Sequence, residues 1–273
     1  MTLDERINKD LTELYEEKEI SAAKELQSVI EVSAKGLPQH FTGNRDAKTV
    51  FVTLNPGRDV KLADKSYNDC TKDYDKTTVQ TFICDYIKKN TDFGKNDKDR
   101  RDSFDEKQAA FLKYFKDSGI DIPSKFPEEK TDELCLQAKQ NVISQKCQLE
   151  LIPYCSAKFS VSKAKAAVLV PYVETLLDEI FRVERRYVIF GGAIFAYLFE
   201  KMKAENIAIK LGEKVVWQIP DIKNPFTAHL VTFTRNGKTV KAVIARTFQR
   251  QDISRAYKAM AEYGKKCFEL LKQ

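Results

Sequence analysis

The residues able to do chemistry in this chain gather where apolar runs give way to polar turns. TVFVTLN, residues 49–55, is β-branched and apolar and stops at Pro56-Gly57, a turn signal. Leu54, Asn55, Pro56 and Gly57 thus leave a buried strand together, with Arg58 next. CQLELIPY, residues 147–154, reads as a second strand. Glu150 sits inside it, and a carboxylate buried there needs a partner. Either Glu150 lines a pocket or the strand turns it to solvent. Tyr154 and Ser156 mark the end of that run, and Tyr154 either stacks on a ligand or closes the core. A third run, KTVKAVIAR, residues 238–246, leads into TFQRQDIS, which carries Gln249, Arg250 and Ser254. Amide, hydroxyl and carboxyl groups position water and stabilise departing charge. Arg58, Lys158 and Arg250 would add a basic rim suited to phosphate.

Other chemistries find little support. The six cysteines are scattered and form no CxxC pair, and the chain has two histidines, His40 and His229. A zinc site wants clustered Cys and His ligands, so no metal is expected. His229 lies on a hairpin strand and reads as structural. No phosphate-cradling Gly-rich loop is visible, because Gly191-Gly192 is a strand-end turn. Reduced, mostly buried thiols in a cytosol fit the cysteine pattern. The N-terminus has no apolar leader, and no run approaches the ~18–20 apolar residues of a membrane span. Net charge is +6, from 46 basic against 40 acidic residues, a mild bias toward polyanions.

These residues need a scaffold. Thr2 and Glu5 have capping-box spacing, and Leu3, Ile7, Leu11 and Leu14 recur at helical intervals, so residues 2–34 read as helix. Further helices are expected near 79–87, from Ala110, over 129–144, from Pro171, over 193–206 and at the C-terminus. Residues 88–107 are a mixed-charge run and read as a solvated loop. Besides the three runs above, YVIFGG (187–192) and Val215–Pro220 read as strands, and Asn236-Gly237 signals a type I′ hairpin. Strands alternating with helices predict an α/β protein, a three-layer α/β/α arrangement around a mainly parallel sheet. Residues 1–36 would be an N-terminal helical extension and 37–273 the α/β domain. In such sheets the ligand site lies beyond the carboxyl ends of the strands. The turns after Leu54, Ile152 and Arg246 therefore matter most.

The order of these segments resembles the uracil-DNA glycosylase superfamily, over roughly residues 37–257. Thr53-Leu54-Asn55-Pro56-Gly57 is similar to the Gly-x-Asn-Pro-Gly motif of the mismatch-specific and single-strand-selective branches, with Thr53 in place of Gly. The resemblance implies that Asn55 positions the hydrolytic water. CQLELIPYCSAKF lies where the family has its base-recognition segment, and RYVIFGGAIFAYLF where an apolar strand precedes a helix. TFQRQDIS aligns without a gap on the family's Thr-Ala-His-Pro-Ser-Pro-Leu-Ser loop. Thr247, Ile253 and Ser254 agree, while Gln249 replaces the histidine and Arg250 the proline. The family places a stacking aromatic shortly after the first motif, and Tyr67 is the nearest candidate.

What the resemblance implies is hydrolysis of the N-glycosidic bond of uracil or another damaged base in single- or double-stranded DNA, without metal or organic cofactor. Asn55 and Gln249 would be catalytic. Leu54, Pro56, Gly57, Tyr67, Glu150, Tyr154 and Ser156 would surround the base, and Arg58, Lys158, Arg250 and Ser254 the backbone. Asn55 holds water but accepts no proton, and Gln249 donates a hydrogen bond without carrying charge. A weak or altered activity follows. A nucleic-acid or nucleotide-binding module without turnover is the alternative, and a nucleoside hydrolase a further one.

Overall fold

The computed structural model describes residues 1–57, 77–94, 103–156, 158–159, 163–202, 206–219, 224–248 and 257–273. Among these, seven strands form one sheet. They are β1 (Phe41–Gly43), β2 (Thr49–Thr53), β3 (Cys147–Glu150), β4 (Tyr187–Gly191), β5 (Ala208–Trp217), β6 (Phe226–Arg235) and β7 (Lys238–Ala245). Their order is β1-β3-β2-β4-β7-β6-β5. The central β3, β2, β4 and β7 are parallel neighbours. Short β1 adds antiparallel to β3 on one edge, and β6 and β5 continue antiparallel from β7 on the other.

The helices are α1 (Leu3–Glu17), α2 (Ser21–Leu26), α3 (Val79–Thr91), α4 (Ser103–Leu112), α5 (Asp132–Gln145), α6 (Val170–Arg182), α7 (Ile194–Lys201) and α8 (Tyr257–Leu271). Strand alternation divides them into two layers. Val50, Val52, Val188 and Phe190 face a core shared with α1, α2, α3, α6 and α7. Phe51, Ile189 and Val243 face the opposite core, with α4, α5 and α8. The molecule is therefore α/β/α in three layers, as the alternation of elements predicts. No helix among the described residues is long and apolar enough to cross a membrane.

The N-terminal segment departs from its reading. Thr2 and Glu5 do form the capping box, with bonds of 2.8 and 3.2 Å. The helix then ends at Lys18, which adopts a left-handed conformation (φ 64). Only Ser21–Leu26 continues as helix, and Ser33 and Gln39 pair instead with the carbonyls of Cys155 and Pro153. Ile30 closes a turn, its N–H on Leu26 O at 2.9 Å, and both it and Val32 are buried outside any helix. α1 buries Leu3, Ile7, Leu11 and Leu14 in the same core as β2 and β4, so it forms part of a layer.

β5 begins well before the expected Val215. Its first half, AIKLGEK, alternates and is half exposed, and the register shifts between Leu211 and Lys214. An edge strand of that kind lacks the apolar density of a buried one. At the hairpin, Asn236 and Gly237 have φ of 50 and 74, as a type I′ turn demands.

Gly264 allows α8 to cross α4 at backbone contact. A Cβ built there would stand 1.8 Å from the Phe111 carbonyl oxygen, so the helices would have to separate. Gly264→Ala is expected to cost about 3 kcal/mol and to lower the thermal midpoint by roughly 5–10 °C. Calorimetry or circular dichroism checks this, and an unchanged midpoint would show that the two helices part freely.

Candidate functional site

The chain leaves β2 toward β3 on one side and leaves β4 toward β7 on the other. Connections diverging from two adjacent parallel strands open a crevice at their carboxyl ends. Asn55-Pro56-Gly57 follows β2, and Gly191-Gly192 closes β4. The pairing of β2 with β3 runs past the strands proper, since Leu151 N–H donates to Thr53 O (2.8 Å) and Ile152 N–H to Leu54 O (2.9 Å). Leu54 packs over Gly192, where a Cβ would meet it at 2.9 Å.

Asn55 is 7% exposed, and its side chain is fixed. Its Nδ2 donates to the carbonyls of Pro56 and Ser156, both at 3.1 Å. Two carbonyl acceptors decide the amide orientation, since the oxygen could not occupy that place. The amide is thus held by its nitrogen, and Oδ1 takes no part in those two bonds. Ser156 N–H also donates to Pro56 O at 3.1 Å, which joins the two strand-end turns.

A polar row runs up the face of β3. Lys146, Gln148 and Glu150 alternate and share the face that looks toward α4. Lys146 Nζ donates to Asp105 Oδ1 (2.5 Å), to Gln108 and to Gln148 Oε1 (2.8 Å). Gln148 Nε2 donates to Glu150 Oε1 at 2.8 Å. The Thr53 hydroxyl donates to Glu150 Oε2 at 2.6 Å. Glu150 is only 5% exposed, so the solvent-facing alternative is excluded and the required partners are Thr53 and Gln148. Burial pushes its carboxyl up to about 7, against the two hydrogen bonds and the more distant Lys146 charge.

The remaining sequence-derived positions divide. Leu54 is half-buried, Pro56 is buried and Gly57 is exposed. Tyr154 closes the core, with its hydroxyl on Asp10 Oδ2 at 2.8 Å and its ring edge-on to Tyr172. It therefore takes the second of the two roles open to it and does not line the crevice. His40 Nε2 lies 3.2 Å from the same carboxylate, close enough for attraction but not aimed as a hydrogen bond. Ser156 is buried, and its hydroxyl turns the chain through a bond to Lys158 O (3.0 Å), with Lys158 exposed. His229 Nδ1 sits 3.2 Å from Gly212 O within the hairpin sheet, a structural place. Tyr67, Arg58, Gln249, Arg250 and Ser254 lie outside the described residues.

Helix α4 supplies what sequence reasoning missed. Residues 103–107, taken as part of a solvated loop, are its first turns. Asp105, Lys107 and Gln108 are buried there. Lys107 Nζ donates to Phe248 O at 3.0 Å, and Glu106 bonds the Tyr257 hydroxyl. One helix thus grips the residues on either side of 249–256 while its Asp105 and Gln108 hold Lys146. The available signal was the alternation Lys146-x-Gln148-x-Glu150, a polar face in a run where Glu150 alone stood out.

A cleft of about 440 Å³ lies elsewhere, lined by Asp4, Asp178, Glu179, Arg182, Arg235 and Lys238 among others. It opens at the amino ends of the parallel strands, where the hairpin turn and the end of α6 meet. Most of its charges are engaged in ion pairs, as in Arg45 with Asp4 and Glu179, Arg182 with Asp46 and Glu179, and Arg235 with Asp178. We place the candidate site at the carboxyl ends, where connections diverge from β2 and β4, Asn55 follows β2 and Glu150 pairs with Thr53 at its end. Among the described residues, no group of three or more His, Cys, Asp and Glu side chains could hold a metal ion. In comparisons with known proteins, the chain matches no family model and no curated sequence.

Glu150 makes stability depend on pH. Its carboxyl keeps a proton up to about 7 when folded, against an ordinary value near 4.5 when unfolded. Between those values the native state holds a proton that the unfolded chain has released. Stability is full at the acid end of that window and falls as pH rises through it, by at most ~1.4 kcal/mol per unit. Denaturant titrations at pH 5, 6 and 7 are expected to show this fall in wild type and a flatter profile in Glu150→Gln.

Proposed function

We propose that this chain hydrolyses the N-glycosidic bond of uracil or another damaged base in DNA. The observation that carries the reading is Asn55, held by its amide nitrogen at the carboxyl end of β2 beside the crevice between β2 and β4. An oxygen fixed in that way accepts a hydrogen bond from a water and sets its direction of attack.

Breaking the bond leaves cationic character on the sugar and negative charge on the base. The base must first leave the stack, which costs a few kcal/mol. Positioning the water and stabilising the anionic base are then the two tasks. Asn55 serves the first. Gln249, by its place in the sequence after β7, serves the second as a neutral hydrogen-bond donor. Arg58, Lys158 and Arg250 would meet backbone phosphates. A neutral donor in place of an imidazole supports a slow reaction, since one well-aimed donor is worth ~10²–10³ in rate.

The same substitution favours a second reading, a nucleic-acid binder without turnover. Base release from labelled uracil-containing oligonucleotides, single- and double-stranded, separates the two. Wild type is expected to release base, and Asn55→Ala to lower release by ~10²–10³. That variant still folds, at a cost of about 1–3 kcal/mol for its lost hydrogen bonds. Salt-sensitive binding with no release would favour the binder, and neither binding nor release would sink both readings.

A further inference from the structure

We propose that Glu150 is the proton acceptor of this site, reached through the Thr53 hydroxyl, and that Lys146 and Gln148 hold it in place for that task. The inference rests on the glycosidic hydrolysis proposed above. Asn55 orients a water but has no basic atom, so the water's proton must go elsewhere. Thr53 is two residues before Asn55 on β2 and lies in register with Glu150 on β3. Its hydroxyl is 2.6 Å from Glu150 Oε2, much nearer than its alternative acceptor, Leu149 O at 3.4 Å.

Two buried glutamates show what suits Glu150 to the role. Glu179 is clasped by guanidinium groups, with Arg45 at 2.6 Å and Arg182 at 3.0 Å. Such a carboxylate is committed to its ion pairs. Glu150 is met by an amide and a hydroxyl, and the nearest cation of its row, Lys146, reaches it only through Gln148. Neutral partners hold the group without fixing its charge. Its carboxyl changes state near neutral pH, where a general base works best. Lys146, pinned by Asp105, Gln108 and Gln148, keeps the Gln148 amide turned so that its nitrogen faces Glu150.

The step balances. The water oxygen bonds to the sugar C1′ as the C1′–N bond breaks, and that electron pair leaves with the base. The water's proton passes to Thr53 Oγ1, while the Thr53 proton passes to Glu150 Oε2. Glu150 then gives its proton up, to the departing base directly or to solvent that in turn protonates the base, which restores the carboxylate.

The test is the rate of base release from uracil-containing oligonucleotides between pH 5 and 9, for wild type, Glu150→Gln, Thr53→Val and Thr53→Ser, each checked for folding by its thermal midpoint. Wild type is expected to gain about tenfold per pH unit below about 7 and to level off above it. Glu150→Gln should lose that limb and fall by ~10²-fold or more at pH 8. Thr53→Val removes the hydroxyl through which the proton passes, so it should lose the limb and fall in rate as Glu150→Gln does, while Thr53→Ser keeps a hydroxyl and restores both. If Glu150→Gln does not fold, the Thr53 pair decides. A limb that persists unchanged in Glu150→Gln, or at full rate in Thr53→Val, overturns the relay to Glu150 and leaves the hydrolysis standing. No release by folded wild type overturns the hydrolysis itself, and the proton acceptor with it.

Discussion

β2, β3 and β4 have protein on both faces, so any polar atom on them must find its partner inside the molecule. Three polar residues on one face of β3 meet this constraint together. Lys146 brings a charge that Asp105 balances, Gln148 links the charged end to the neutral end, and Glu150 completes the row against Thr53. Half of such a network would be worse than none, because each member left unpaired costs the desolvation of its group. The position of α4 follows, since its Asp105 and Gln108 cannot leave Lys146 without stranding a buried ammonium.

The two ends of the parallel strands solve buried charge differently. At the amino ends, Glu179 draws in Arg45, Arg182 and Arg185, and the charges cancel in a tight group. Its work is to tie α1, α6 and the turn before β2. At the carboxyl ends, the one carboxyl among Thr53, Asn55 and Ser156 has only neutral donors. A cluster of complementary ions is rigid and inert. A carboxyl among amides and hydroxyls changes its protonation at little structural cost.

Much of this architecture is written in hydrophobic periodicity. TVFVT and YVIFG are apolar enough to be buried strands, and Asn236-Gly237 fixes a hairpin by its backbone demands alone. The α/β layering follows from that pattern. Periodicity fails where apolar and polar positions share a strand. In CQLELIPY the apolar residues mask the period-two polar face, so Glu150 was visible as anomalous while Gln148 and Lys146 were not. Asp105 and Lys107 were lost for another reason. They lie in a run of alternating charges, and local composition there says solvent. Only the tertiary fold supplies the buried partners, Lys146 and the Phe248 carbonyl, that bring those charges inside. Tyr154 shows the converse, a residue at a promising strand end whose hydroxyl is spent on Asp10 of α1.

The hold of α4 on Phe248 and Tyr257 has a meaning for how such a protein changes over time. The residues between them are tethered at both ends by side chains of a single helix, and those ends are also packed against Phe104, Phe111 and Phe126. The entropy of bringing the ends together is therefore met by the scaffold and depends little on what lies between. A molecule built in this way separates the part that must stay constant from the part free to vary, and α4 is the boundary between them.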